Sequence, residues 1–409
     1  MCFLCSKREI NPIFESYSGI FVKVAFIHNN FPAGGAERVT IDIARYLSSF
    51  DGYQVYVYAS RIAESMLTDE IRSAMILRSL PTQAIKSRRT KAVEKYLLQD
   101  GIDILVQVGK VLPGIEETSA RTGVKTVVAC HGEPFWQRYA IVYRRQKGLV
   151  RKFMWYLYNK RRYKDGTLAM RKAVSRTFSE YSSCDAYTVL CSSYKKEIAS
   201  GLGLDPDESH IYPIENPETP VQSVNYAKEK IILFCGRFEN WSKRIDRLLR
   251  IWRKVQGELP EWRLVLVGNG ENWKGLKKLA EHLSLERVSF EGRRNNVADY
   301  YDKASIVALT SETEGWPLAL TEAQAHGCIC IAFGCTSGIR EVLAPNGECG
   351  FIVTPFDEDR YAETLLKIAS LPEDEQLRIR KQAVEKRSEY APEYIAAKWK
   401  TLFDDLMTK

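Results

Sequence analysis

At 409 residues the chain is too long for one ordinary hydrophobic core, so two or three domains are expected. With 45% hydrophobic and 27% charged residues it has the composition of a folded globular protein, which excludes a disordered or fibrous one. The net charge is +8, yet residues 144–176 hold twelve Lys or Arg against one acid, leaving 47 basic and 50 acidic residues elsewhere; the surplus is one local patch whose partner is expected to be anionic.

No apolar run reaches the roughly 18 residues of a membrane span, and the N-terminus lacks the basic-then-apolar order of a secretory signal. The ten cysteines show no disulfide or zinc spacing. Cys2 and Cys5 form a C-x-x-C with no second pair, and Cys328, Cys330 and Cys335 sit in or beside apolar runs. They are read as reduced thiols of a cytoplasmic protein, one that could sit peripherally on the inner face of the cell membrane.

Residues 1–20 have no clear period and are read as a flexible N-terminal extension. From there, short apolar runs alternate with amphipathic stretches, the pattern of parallel βαβ units. Val22–Ile27 is the first predicted strand, followed by His28-Asn29-Asn30-Phe31-Pro32-Ala33-Gly34-Gly35-Ala36-Glu37. Its Gly34–Gly35 pair lets backbone approach a ligand at a helix start, although a plain strand-to-helix turn fits as well. Over Ala36–Ser49, Val39, Ile43 and Leu47 recur every four residues and predict a helix.

Gln54–Tyr58, Ile104–Val108, Thr126–Ala129 and Ala186–Leu190 are further predicted strands, rich in Val and Ile as strands buried on both faces should be. His131-Gly132-Glu133 follows one of them, where a histidine can be structural or functional. In the basic stretch, Phe153, Trp155, Tyr156 and Tyr158 interleave with Arg151, Lys152, Lys160, Arg161 and Arg162. That mixture suits an anionic membrane surface, or else a solvated basic helix pair; no nucleic-acid motif accompanies it, and no nucleic-acid partner is expected.

Pro213, Pro217 and Pro220 then interrupt the pattern, and the segment is read as a linker between domains. The alternation restarts with predicted strands Ile231–Cys235, Arg263–Val267, Val288–Phe290, Ile306–Leu309, Ile329–Phe333 and Phe351–Val353. The expected division is 21–212 and 229–390 for two α/β domains, 213–228 for the linker and 391–409 for a last helix. Open α/β sheets bind ligands beyond the carboxyl ends of their strands, so the cleft between two such domains is the expected site.

Two loops in the second half carry most of the chemistry. Cys235-Gly236-Arg237-Phe238-Glu239-Asn240-Trp241-Ser242-Lys243 leads to a helix on which Ile245, Leu248, Leu249, Trp252 and Val255 form one stripe. Arg237 and Lys243 are the cation types a phosphate needs, though two surface basics would look the same. Ser311-Glu312-Thr313-Glu314-Gly315-Trp316-Pro317-Leu318-Ala319-Leu320-Thr321-Glu322 follows Ile306–Leu309 directly. Gly315 permits an unusual turn, and Pro317 suits a helix start whose free amides would attract a diphosphate. Glu314 and Glu322, eight residues apart, could touch two parts of one ligand; they could equally be a solvated loop acid and an acid favoured by the helix dipole. Gly268-Asn269-Gly270 invites a dinucleotide reading, but Trp273 stands where the third glycine of the fingerprint belongs.

Together these motifs resemble the retaining glycosyltransferases of the two-domain GT-B architecture, the group 1 or GT4 family. The resemblance spans the chain after residue 21 and is closest over 231–370. It rests on the Glu-x7-Glu of Glu314 and Glu322, the Gly-Arg…Lys of Gly236, Arg237 and Lys243, the early Gly-Gly-x-Glu, and the middle His-Gly. It implies an α/β fold of two Rossmann-like domains facing across a cleft, with a C-terminal helix returning to the first. It also implies a donor site in which Arg237 and Lys243 hold the diphosphate and Glu322 binds the ribose. Glu314 and His131 would face the donor sugar, and Gly34–Gly35 would close on the phosphates. Arg293 would lie near the base, and Gly315, Trp316, Pro317 and Leu318 would line the pocket. Such enzymes need no metal, and their acceptors are glycans or lipid-linked sugars. One departure is Arg244, where the family often has glycine after the diphosphate lysine. Two rivals share these features: a non-hydrolysing nucleotide-sugar epimerase of the same fold, and a non-catalytic protein that binds nucleotide sugar or membrane.

Overall fold

The computed structural model describes residues 21–139 and 167–408, apart from Ala33, Asp51, residues 82–85, Lys110, Thr219 and Asn240. Within them the strands make two sheets, all parallel. The first has seven strands: β1 (Val22–Phe31), β2 (Tyr53–Ile62), β3 (Ile76–Ser79), β4 (Ile104–Val108), β5 (Lys125–Ala129), β6 (Ala186–Val189) and β7 (Ile211–Pro213), in the order β3-β2-β1-β4-β5-β6-β7. The second has six: β8 (Glu229–Cys235), β9 (Arg263–Val267), β10 (Val288–Gly292), β11 (Ala304–Leu309), β12 (Ile329–Phe333) and β13 (Phe351–Val353), in the order β10-β9-β8-β11-β12-β13.

The two orders are the same winding repeated. In each sheet the chain starts in the middle, builds outward to one side, then crosses back to build the other. The crossing falls between β1 and β4 in the first sheet and between β8 and β11 in the second. At such a switch point the strand-end loops diverge and leave a crevice. The glycine pair follows β1, Arg237 and Lys243 follow β8, and Glu314 follows β11.

Two strands escape the sequence reading, each for a physical reason. β3 is an outer strand of the first sheet and only part-buried, so it lacks a continuous apolar run. Its Arg78 instead pairs with the buried Asp100 at 2.6 Å. β7 ends on the first residue of the expected linker, Pro213. It pairs with β6 alone, as the opposite outer strand, and its Pro213 is tolerated because an outer strand leaves one side of its backbone without a partner. The residues that follow are packed into protein, with Asn216 and Glu218 both buried, and the chain comes to the surface from Pro220 onward.

One apolar core runs without a break from the second sheet into the first domain. It joins Ile232, Leu309 and Ile331 to Val128, Tyr187, Tyr194 and Ile198. A second core lies on one face of the first sheet and includes Ile395, Trp399, Leu402, Phe403 and Leu406. Those residues belong to the last helix, Pro392–Thr408, which has therefore returned to the first domain. Its apolar residues recur three and four apart, and Trp399 meets Phe26 edge-on with ring centres 6.2 Å apart. Tyr53 adds a 2.5 Å hydrogen bond to Asp404.

All eight described cysteines are free thiols, and among the described residues no cluster of His, Cys, Asp or Glu could hold a metal ion. No described helix is long and apolar enough to cross a membrane. Residues 144–166, with Arg151, Lys152, Trp155, Lys160, Arg161 and Arg162, lie outside the described residues.

Candidate active site

The loops after β8 and β11 are laced together. The Glu312 N–H donates to the Ser242 carbonyl at 2.7 Å. Lys243 Nζ lies 2.6 Å from Glu314 Oε1, which also accepts from Ser311 Oγ at 2.6 Å. Both partners are screened from water, with the Lys243 and Glu314 side chains 17% and 9% exposed. The ion pair thus replaces solvation that a buried lysine and carboxylate would otherwise lose.

Arg244 settles the shape of this loop. It takes the left-handed conformation (φ 45°, ψ 47°) that a glycine would adopt freely, at a cost of about 1–2 kcal/mol for a side-chain-bearing residue. Its guanidinium answers with two 3.0 Å bonds to Asp246 and one of 3.2 Å to Glu312. The glycine-type turn is retained, and the arginine ties the two loops together through Glu312.

Arg237 stands apart from this buried pair. Its side chain is 77% exposed, and its contact is with Glu239 at 2.9 Å. Arg237 thus lies at the solvent-exposed rim of the loop. Arg293 is also exposed, in the loop beyond the outer strand β10.

Glu322 lies on the short helix Leu318–Ala325, for which Pro317 is the N-terminal boundary residue. Its partner comes from the opposite domain: Arg38 Nη1 approaches Glu322 Oε1 to 2.5 Å. The Tyr301 hydroxyl donates to the other carboxylate oxygen at 3.0 Å. Gly35, first residue of the helix Gly35–Leu47, faces Leu318, first residue of its own helix: a Cβ built on Gly35 would sit 3.2 Å from Leu318 Cδ1. Two helix N-termini, one from each domain, therefore meet across the cleft.

Gly315 explains its own identity. A Cβ there would lie 2.2 Å from the His131 carbonyl oxygen. The His-Gly loop after β5 and the Glu314–Gly315 loop after β11 thus touch main chain to main chain. The His131 ring bonds Asn216 Oδ1 at 3.2 Å, and burial holds its pKa down at about 4, helped by the nearby His28. At neutral pH it is an uncharged imidazole, suited to hydrogen bonding rather than to attracting phosphate. Trp316 is 6% exposed with its ring tilted against Tyr390, so its indole is packed into protein.

Several residues at the site have no role read from the sequence, although Glu133 lies within the His131-Gly132-Glu133 motif. Arg38 directly follows the early glycine motif, and Tyr301 lies in the helix Ala298–Lys303. Glu133 is 4% exposed, bonded to Arg138 at 2.8 Å, and burial raises its pKa to about 7. Glu218 is 6% exposed and accepts from Thr321 Oγ1 at 2.7 Å; burial, and then the charge of Glu322, raise its pKa to about 7.

Gly268 and Gly270 are used for packing. A Cβ on Gly268 would lie 1.8 Å from the Gly236 carbonyl oxygen, and one on Gly270 would lie 2.5 Å from that of Phe238. These glycines let the loops after β8 and β9 lie against each other, with no room between them for a phosphate.

Two families match this chain. Residues 215–386 match the family described as Glycosyl transferases group 1, and residues 33–214 match Glycosyltransferase Family 4. An uncharacterized glycosyltransferase of Haemophilus influenzae is 29% identical over 334 residues, 80% of this chain and 84% of that protein. The amylovoran biosynthesis glycosyltransferase AmsD of Erwinia amylovora is 28% identical over 46% of this chain, and the match spans about half of that relative, 52%. Among solved structures, Anabaena HepE in complex with UDP and glucose superposes over 94% of this chain and 100% of its own, with TM-score 0.70 and 16% identity; that similarity is one of fold.

Proposed function

Because the chain belongs to the group 1 (GT4) glycosyltransferases of GT-B architecture, we propose that it moves a sugar from a UDP-sugar to a glycan or lipid-linked acceptor in cell-surface polysaccharide synthesis, with retention of configuration. The observation that supports this reading is that each signature acid is met by a cation. Glu314 is met by Lys243, and Glu322 by Arg38 from the facing domain.

The geometry supports a division of labour. Lys243 and the rim residue Arg237 supply positive charge for the diphosphate, and the start of the helix Leu318–Ala325 adds the partial charge of its amides. As the bond between sugar and phosphate breaks, negative charge grows on the leaving diphosphate, and fixed cations stabilise it without reorganisation. Glu322 offers carboxylate oxygens to ribose hydroxyls once Arg38 is displaced. Glu314 and the uncharged His131 face the sugar, and the Gly34–Gly35 turn lies over the phosphates. Arg293 serves the base. These residues provide the electrostatic stabilisation for which other transferases use a divalent cation.

The acceptor belongs to the first domain in this reading. The basic and aromatic stretch around Arg151, Lys152, Trp155 and Lys160–Arg162 docks on anionic lipid and presents a lipid-linked acceptor. Its test is pelleting with phosphatidylglycerol vesicles, with no pelleting at low salt as the result against it. The donor reading is tested by a thermal-shift panel of nucleotide sugars. One UDP-sugar is expected to stabilise the wild type, and the stabilisation should disappear in Arg237→Ala; a flat panel would refute it.

A further inference from the structure

The first domain reaches across the cleft and holds the backbone of the loop that carries Glu314. Tyr194 lies in the first turn of the helix Ser192–Leu202, and it is 1% exposed. Its hydroxyl donates towards the carbonyl oxygens of Glu314, at 3.1 Å, and Gly315, at 3.0 Å. The same oxygen accepts the Gly338 N–H at 3.0 Å. Three main-chain groups of the second domain thus depend on one side-chain oxygen of the first. One turn further along, Glu197 accepts a short hydrogen bond from Ser337.

The other side of the loop is equally confined. The His131 carbonyl leaves no space for a side chain on Gly315, and a Cβ on Gly338 would lie 2.2 Å from the Gly315 carbonyl oxygen. The peptide units around Gly315 are therefore fixed between His131 and Tyr194, while the Glu314 side chain points to Lys243. Arg237, Lys243 and the helix start, by contrast, all belong to the second domain.

We infer that Tyr194 is a positioning residue whose hydroxyl sets the Glu314–Gly315 backbone, so that the sugar-facing half of the donor site is complete only when the two domains are closed. The inference rests on the reading of Glu314 as the acid that faces the donor sugar. Its physical basis is that buried carbonyl and N–H groups require partners, and that a reacting geometry loses rate steeply when a group moves by about 1 Å. The nucleotide is held by groups that do not depend on this hydroxyl, so sugar placement and nucleotide affinity should separate.

The experiment uses the full chain as wild type, Tyr194→Phe and Glu314→Gln. Each is titrated with UDP and with whichever of UDP-glucose, UDP-galactose, UDP-N-acetylglucosamine and UDP-N-acetylgalactosamine stabilises the wild type most. UDP release from that donor is then timed. For Tyr194→Phe the expected result is a UDP Kd within twofold of wild type, loss of the extra affinity that the sugar confers over UDP, and UDP release at least tenfold slower. Unchanged release, or a parallel loss of UDP and UDP-sugar affinity with a lowered Tm, overturns the inference. Should Tyr194→Phe fail to fold, Ser337→Ala removes the neighbouring bond to Glu197 and is expected to slow release two- to fivefold at unchanged UDP Kd; unchanged release in that variant overturns it too. Glu314→Gln separates the two levels. If it leaves release unchanged, the reading of the site itself fails. If it stops release while Tyr194→Phe does not, only the role of Tyr194 fails.

Discussion

Glu314 and Glu322 are eight residues apart and each is met by a cation, but the cations come from opposite sides of the cleft. Glu314 is neutralised by Lys243 of its own domain, within loops that are cross-tied by Glu312 and Arg244. Glu322 is neutralised by Arg38, whose side chain is 51% exposed and which belongs to the facing domain. The difference teaches that the Glu314 side chain is neutralised within its own domain, although its backbone leans on Tyr194 of the other, while the Glu322 side chain is neutralised only from across the interface. In the proposed reading, a nucleotide reaching Glu322 displaces a side-chain bond between domains, whereas at Glu314 the cation it shares comes from the same domain.

The strongest way to break this comparison is Lys243→Ala. It leaves Glu314 without its cation and, in the proposed reading, the diphosphate with one positive charge fewer; removing one such stabilising group typically costs about 10²–10³ in turnover. UDP release within tenfold of wild type would show that the pair is only structural.

Glu218→Gln probes the ground beneath Glu322. The Glu218 carboxyl is raised from 4.5 to about 7 by burial and by the charge of Glu322. The folded chain holds this proton more tightly than the unfolded one, so its stabilising effect is full below pH 4.5 and is lost as pH rises through about 7. A glutamine keeps the acceptor for Thr321 and never ionises. The variant should match wild type at pH 4.5 and be more stable at pH 8, by about 1–3 kcal/mol, read as urea midpoints. Equal midpoints at pH 8 would mean that the carboxylate is already well compensated. His131 works with the opposite sign: its pKa of about 4 means that the neutral ring stabilises above pH 6.5, an effect lost as pH falls towards 4.

Arg38→Met is the sharper and smaller test. If Arg38 competes with ribose for Glu322, its removal should tighten UDP binding about two- to fivefold, the scale of an exposed ion pair of up to about 1 kcal/mol. Weaker binding, measured calorimetrically, would instead make Arg38 a ligand group. Least of all is expected from Arg244→Gly. It relieves the left-handed strain but loses the bonds to Asp246 and Glu312, and the two should cancel to within about 1 kcal/mol in denaturation.

Much of this was legible in the sequence because it is local. Strands buried on both faces write themselves as Val- and Ile-rich runs, and the paired acids and the cations of the β8 loop sit at short fixed spacings. What stayed hidden was non-local or half-buried. Arg38 and Glu322 are 284 positions apart, and Tyr194 and Gly315 are 121 apart; neither contact imposes a period on the residues around it. β3 and β7 are outer strands, where one side of the backbone goes unpaired and alternation weakens. Trp316 read as a ligand contact because it sits inside the motif, whereas apolar burial against Tyr390 decides where its ring goes. Gly268 and Gly270 read as a broken phosphate loop because a glycine needed for chain-to-chain contact is spelled the same way as one needed for a ligand.

The return of the last helix to the opposite domain has a genetic consequence. A nonsense mutation just before Pro392 would spare every residue assigned to the donor site, yet it would strip Trp399, Leu402 and Phe403 from beneath the opening sheet. Such an allele should behave as a complete loss of function, with the damage appearing in the first domain, far in sequence from the lesion.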